Sequence, residues 1–376
     1  MPEDDKPRGE PAVKAKLPSA KNIRSPEFTP HGISGGRGRS PRPSALTAAQ
    51  ARRRRRLSIA ATVVAVLALA GATTWYVTRP GPQIEVTGAF GQAPKVTIPK
   101  SLLPDGKLKV TAKIKGTGRK IANGDTALVK FVFYQWSKGT DDKATESTSK
   151  EIRSSYELPA GEQVVPMQIG KTDVKGLDKG LVGQTAGSRV VLQVPPKEGF
   201  GQSAAPMGIG EDDSLVFVVD ILAVYPKNAE AQGTPKPQKD EDLPSVGAME
   251  AGKGPKITIP KADPPKDMQV KTIIEGNGPK TTKDDTALVN YKGVIWRDGK
   301  EFDNSWSKGS PAMFKLDTTE GMKGFFKGLQ GQKVGSRVML VLPPDEGYGK
   351  DGNPQAGIKG DDTTVFVVDI LGTVPK

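Results

Sequence analysis

The chain is 376 residues long, with 44 Gly, 32 Pro, no Cys and a single His, His31, and its net charge is +13. That length exceeds what one ordinary domain needs, and the Gly and Pro content points to strands, turns and linkers rather than a helical bundle. The lack of Cys excludes disulfides, thiolate metal sites and Cys nucleophiles, and one His in a polar, proline-rich tail makes a Ser-His-Asp triad nearly impossible.

Residues 1–56 hold fourteen Lys and Arg against five Asp and Glu and few apolar side chains. Such a segment cannot bury enough surface to fold alone, so a disordered basic cytoplasmic tail is expected. Ser25-Pro26 and Ser40-Pro41 could be phosphorylated, or the tail could dock a partner in extended form. Five arginines, Arg52–Arg56, then precede the uncharged run 57–77. At about 1.5 Å per residue this run reaches about 30 Å, the thickness of a hydrocarbon core. Trp75 and Tyr76 suit the far interface, and the arginines suit the cytoplasmic side and an anionic membrane surface rather than nucleic acid. A single-pass transmembrane helix with everything downstream extracytoplasmic is the expectation. A signal peptide cleaved near Ala68-Leu69-Ala70 is the competing one, disfavoured by the long region before the run and by its length.

Beyond residue 78 the sequence repeats. Pro94–Lys100 returns as Pro255–Lys261, Gly124–Val129 as Asp284–Val289, Gly187–Val190 as Gly335–Val338, and Leu215–Leu222 as Thr364–Leu371. Blocks repeated in one order mean a duplicated domain, and two copies of this size are not a solenoid. The expected division is a linker at 78–93, a first copy at 94–226, a charged proline-containing linker at 227–254, and a second copy at 255–376. The offset between copies drops by twelve between Trp136 and Gly176, so the first copy carries an insertion there, in a stretch that includes Gly139 to Lys150.

Each copy reads as mostly strand. Leu108, Val110, Ala112 and Ile114 alternate with Lys107, Lys109, Thr111 and Lys113, a period of two with one buried face. Thr286–Trp296, Ser336–Leu342 and Thr363–Leu371 are apolar, β-branched strand candidates, and Gly321–Gln330 fits a helix of about two turns. The fold class is therefore α+β: two domains, each an antiparallel sheet wrapped around one short helix.

The second copy contains, in order, Asn290-Tyr-Lys-Gly293, Asp298-Gly-Lys-Glu-Phe-Asp303, Gly324-Phe-Phe-Lys-Gly-Leu329, Gly335, Pro343-Pro344, Gly347-Tyr-Gly349 and Val365–Leu371. Taken singly, the aromatics fit a sheet core, Asp303 a turn and Tyr348 a loop anchor. As an ordered set they resemble the FKBP-type peptidyl-prolyl cis-trans isomerases, over about 110 residues. The resemblance implies an enzyme that twists X–Pro bonds, with no cofactor and no metal, and the expected membrane anchor would place exported or cell-surface proteins before it as substrates. It implies proline-containing polypeptides as substrates and macrolide inhibitors as ligands of the same pocket. Tyr291 matches the family's strand tyrosine, Phe302 and Asp303 its Phe-Asp pair, Phe314 the aromatic beyond it, and Tyr348 its Tyr-Gly tyrosine. Met322 stands where the family has an aliphatic residue whose backbone N–H meets the ligand, and Phe325 where it has the tryptophan of the pocket floor. Ile358 and Phe366 match the remaining wall. A non-catalytic chaperone or adaptor that binds extended proline-containing chains is the alternative.

The first copy departs from that pattern. Phe131 replaces the strand tyrosine, Met167 the aromatic at 314, Leu177 the floor aromatic and Phe200 the Tyr-Gly tyrosine, while Phe217 remains. No Phe-Asp pair follows Trp136. A retained fold with a weak or dead pocket is expected, serving to bind unfolded or partner chains or as a spacer.

Overall fold

The computed structural model describes residues 63–68, 81–139, 144–319 and 321–375. The basic tail lies outside the described residues, and so does the expected membrane span except for 63–68, which are helical with Val63, Val64, Val66 and Leu67 exposed. Among the described residues no helix is long and apolar enough to cross a membrane.

Residues from Pro80 onward pack as one compact unit. The first repeat runs β1 (Glu85–Thr87), β2 (Lys95–Thr97), β3 (Lys109–Ile114), β4 (Thr126–Lys138), β5 (Ser147–Ser154), β6 (Val165–Gln168), α1 (Lys175–Leu181), β7 (Arg189–Val194) and β8 (Ser214–Tyr225). The second runs β9 (Gly233–Pro235), β10 (Ser245–Glu250), β11 (Gly254–Thr258), β12 (Gln269–Gly276), β13 (Asp285–Ile295), β14 (Glu301–Asn304), α2 (Ser305–Lys308), β15 (Ala312–Lys315), α3 (Lys323–Leu329), β16 (Arg337–Leu342) and β17 (Thr364–Pro375). The first sheet is ordered β3-β7-β8-β4-β5 with β6 also on β4, and the second β14-β13-β17-β16-β12-β9 with β15 on β13. Read from opposite ends, the two orders are the same antiparallel arrangement, with β9 added at one edge of the second.

β16 and β17 are apolar on both faces because both faces are covered. On the inner face, α3 buries Gly324, Phe325, Gly328 and Leu329. Two glycines in a seven-residue helix cost intrinsic propensity, so packing must hold it. The glycines are what allow that packing. A Cβ at Gly324 would lie 2.9 Å from the Leu342 side chain, and one at Gly328 2.6 Å from that of Leu340. The same spacing recurs in α1, where Gly176 and Gly180 lie against Val194 and Leu192.

The outer face is covered by a segment that composition marks as linker. The β10–β11 hairpin lays Val246 and Ile257 over Val294, Met339, Val341, Val365 and Val367. The β1–β2 hairpin does the same for the first repeat, laying Val86 and Val96 over Val132, Val191, Val216 and Val218. Each hairpin region is tied down from below by a buried ion pair. Arg189 grips Asp220 with Nε–Oδ1 2.6 Å and Nη2–Oδ2 2.7 Å, and also donates from Nη1 to the Gly88 carbonyl and from Nη2 to those of Ala89 and Gln92. Arg337 grips Asp369 in the same way at 2.6 and 2.8 Å and donates to Met249 Sδ of β10 at 2.9 Å, and Asp369 accepts from the Ala231 N–H. Both carboxylate oxygens of each aspartate are paired, the condition under which a buried ion pair is tolerated. The segments 78–93 and 227–254 thus carry strands that belong to the packed unit, and β9 pairs with β12.

Two further strand expectations shift. The alternation at 107–114 forms β3, but β3 is the edge of its sheet, so Val110 is exposed and only Ala112 and Ile114 are half-buried within it. The twelve-residue insertion lengthens the β4–β5 hairpin: β5 has eight residues where β14 has four.

Candidate functional site

In the second repeat, β13 places Tyr291 and Gly293 on the inner face, β17 places Phe366 there, and α3 brings Phe325 beneath them. Phe325 and Phe366 are each 1% exposed and stack edge-on at 5.1 Å. Above this floor Phe302 stands against Phe366 at 5.4 Å and against Tyr348 at 5.9 Å, and Phe314 against Phe325 at 5.1 Å. Phe302, Phe314, Met322, Tyr348 and Asp303 are all half-buried, so the aromatic cluster has a closed floor and a rim that reaches solvent. Gly293 is required here. Its Cβ would lie 2.6 Å from the Phe302 ring and 2.9 Å from that of Phe366.

The polar groups sit on the rim. Tyr291 donates from its hydroxyl to Asp303 Oδ2 at 2.7 Å. Lys308, at the end of α2, pairs with Asp303, and the Asn304 N–H donates to it at 2.7 Å. Burial alone would push the Asp303 carboxyl up, but the bonds from Lys308 and Tyr291 outweigh it and hold the group below the usual carboxylate range. Asp303 is therefore an anion near neutral pH. Burial, reinforced by the Asp303 bond, pushes the Tyr291 hydroxyl up. Burial, reinforced by the Asp303 charge, pushes Tyr348 up to about 12. Both stay protonated donors. The Tyr348 hydroxyl has no hydrogen-bond partner among the described residues.

Eight of the nine candidates, Tyr291, Phe302, Asp303, Phe314, Met322, Phe325, Tyr348 and Phe366, thus converge. Ile358 is 1% exposed, held by a two-way backbone pair with Asn353 in the loop before β17, and lies outside that side-chain cluster. Two members escape motif comparison. Phe326 touches Phe314 and Phe325 at 6.2 and 5.7 Å, and the Phe-Phe doublet was its only signal. Lys308 is five residues past Asp303, a spacing with no meaning until α2 turns it back.

The first repeat holds a cleft of about 420 Å³ at the corresponding place, lined by Phe131, Phe133, Phe200, Phe217, Leu177 and Met167. A shared hydrogen bond fixes the correspondence: the Phe131 N–H donates to Ser155 Oγ at 2.9 Å, and the Tyr291 N–H to Ser305 Oγ at 2.8 Å. Counting back from those serines, Ile152 and Arg153 stand where Phe302 and Asp303 stand, and the strand registers agree, Phe133 facing Arg153 as Gly293 faces Asp303. The missing Phe-Asp pair is therefore present in position but changed in kind. Its lost ring is supplied from the neighbouring strand. Phe133, at the Gly293 position, meets Phe217 at 4.9 Å and Phe200 at 5.6 Å, as Phe302 meets Phe366 and Tyr348. A weak or dead pocket was expected from the lost residues; the structure has an aromatic cleft there, without the two tyrosine hydroxyls and without a carboxylate at the Asp303 position.

A family model described as FKBP-type peptidyl-prolyl cis-trans isomerase matches residues 117–222 and 278–371, more than half of the chain. An FK506-binding protein of Streptomyces anulatus is 38% identical over 117 residues, 31% of this chain and 94% of that protein. The FKBP-type peptidyl-prolyl cis-trans isomerase FkpA of Escherichia coli K12 is 44% identical over 107 residues, 28% of this chain but only 37% of FkpA. The crystal structure of FkpA aligns at a TM-score of 0.27 with 41% identity, covering 29% of this chain and 48% of that one.

Proposed function

The chain belongs to the FKBP-type peptidyl-prolyl cis-trans isomerase family, and from there we propose that turnover resides in the second repeat, in the cup built on Phe325 and Phe366. Rotation about an X–Pro bond breaks no covalent bond but must cross a barrier of about 18–20 kcal/mol set by amide resonance. Uncatalysed exchange takes about 10–100 s. At the twisted transition state resonance is lost, charge separation falls and the carbonyl needs less solvation. A water-poor aromatic cup around the prolyl ring therefore favours the twisted form over the planar one. Tyr348 donates to a substrate carbonyl. Asp303, kept anionic by Lys308 and Tyr291, accepts from a substrate N–H and orients the rim.

The observation that carries this assignment is the Tyr348 hydroxyl, a protonated donor without a protein partner beside Phe302 at the mouth of the cup. The test is a cis-trans exchange assay on a short X–Pro peptide. Tyr348→Phe should lower kcat/KM about fivefold, the loss of one hydrogen bond of about 1 kcal/mol, with unchanged stability. Full activity in that variant would remove Tyr348 from the mechanism.

We extend the proposal to place and partners. The uncharged run 57–77 behind Arg52–Arg56 anchors the chain, with the tail cytoplasmic and both repeats outside, where exported or cell-surface proteins present X–Pro bonds. Its support is the sequence pattern. Protease added to sealed vesicles should cleave the repeats and spare residues 1–50; the reverse would overturn the orientation. A macrolide of the FK506 class, named in the relatives, is proposed as a competing ligand of the second cup.

A further inference from the structure

The cleft of the first repeat differs from the cup of the second by a reversal of charge. Arg153 occupies the register position of Asp303. It is exposed at the cleft wall, and Lys171 lines the same opening. Neither has an ion-pair partner among the described residues, so both charges are available to a ligand. Asp173 is the one carboxylate in the lining. Beneath them the walls are apolar, with Phe133, Phe200 and Phe217 in mutual ring contact. Leu177 replaces the floor ring of Phe325, which leaves a smaller side chain under a cleft of about 420 Å³, room for a ring and part of a backbone.

We infer that this cleft is a second polypeptide-binding site, which holds a prolyl or similar apolar ring against Phe133, Phe200 and Phe217 and reads a neighbouring carboxylate of the bound chain with Arg153. The inference rests on the family reading that such cups accept polypeptide. It goes further in assigning the first repeat a ligand class of its own, an apolar residue flanked by Asp or Glu. The charge complementarity selects that occupant: the second cup presents an anion at this position and the first a cation, so the two sites favour chains of opposite local charge. With no tyrosine hydroxyl in the lining and no carboxylate at the Asp303 position, the cleft retains without turning over. Gln168, on the cleft wall, donates to the Gly309 carbonyl at 2.6 Å, next to the Lys308 that pairs with Asp303. That contact fixes the cleft's edge to the edge of the catalytic cup.

The test uses the full chain labelled with carbon-13 at methionine methyl groups. Met167 and Met207 line the first cleft, and Met322 sits beside the second cup, so one spectrum reports both. Three peptides are titrated, each with a single Pro-Phe flanked on both sides by Glu, Gln or Lys. The Glu peptide should shift Met167 and Met207 with about fivefold higher affinity than the Gln peptide, and the Lys peptide should bind weakest there. Arg153→Glu should reverse that order, and Arg153→Gln should abolish the preference while leaving the unbound methyl spectrum intact. Equal affinities for all three peptides at Met167 and Met207, or shifts confined to Met322, would overturn the inference. Shifts at Met167 and Met207 without X–Pro turnover would instead count against the catalytic assignment of the second cup.

Discussion

Phe302 of the second repeat and Phe133 of the first put a ring in the same place from two different strands. The substitution is reciprocal: where β14 carries the ring, β13 must carry Gly293, and where β5 carries Ile152, β4 has space for Phe133. The aromatic wall is thus a property of the fold that either strand can meet. The carboxylate and hydroxyls are not, because Arg153, Phe131 and Phe200 supply no replacement. The proposed separation of binding from turnover falls along that line.

The largest effect is expected at what the repeats share. Arg337→Ala would leave Asp369 buried and unpaired and should destabilise the unit by about 3–5 kcal/mol in chemical denaturation. Arg189→Ala should cost at least as much, since it also releases three hairpin carbonyls. A near-neutral result at either site would mean that the hairpins do not depend on these pairs. Next comes the ring exchange. Gly293→Phe alone should cost about 1–3 kcal/mol by overpacking against Phe302. Adding Phe302→Ile should recover much of it, giving a coupling that a double-mutant cycle would detect. Additive costs would mean that the two positions do not share one space.

A smaller effect is expected from pH. The folded pKa of Asp303 is depressed, so its contribution to stability is fully present above the unfolded value of about 3.9 and is lost as pH falls through the lower folded value. Asp303→Asn should therefore differ from the parent in denaturant midpoint at neutral pH and converge with it in acid below that window. A gap that widens in acid would reverse the sign of the assignment.

Much of this architecture was legible in the sequence. The strands around Thr286–Trp296, Ser336–Leu342 and Thr363–Leu371 were visible because burial on both faces demands unbroken apolar runs. The helix at 321–330 was visible because glycine punctuation and Phe-Phe stand out in a strand-rich chain. The hairpins β1–β2 and β10–β11 were hidden because their strands are short and lie among Pro, Gly and charged residues, a composition shared with linkers. At the site, residue-by-residue matching named residues that gather in the second cup but did not foresee where the first keeps its ring. It looked for a ring at the position of Phe302, and the ring at Phe133 belongs to a partner strand more than a dozen residues away. The lengthened hairpin then displaced Ile152 and Arg153 from where the pair was sought. Register, which only strand pairing reveals, restores both.

The most direct measurement is the rate of X–Pro exchange by the full chain carrying Asp303→Asn together with Tyr348→Phe, which leaves the first repeat untouched. Turnover should fall by well over the fivefold expected for Tyr348→Phe alone, while the carbon-13 methyl signals of Met167 and Met207 stay where they are. Undiminished exchange in that variant would place the catalysis in the first repeat, or outside both cups, and contradict the division of labour proposed here.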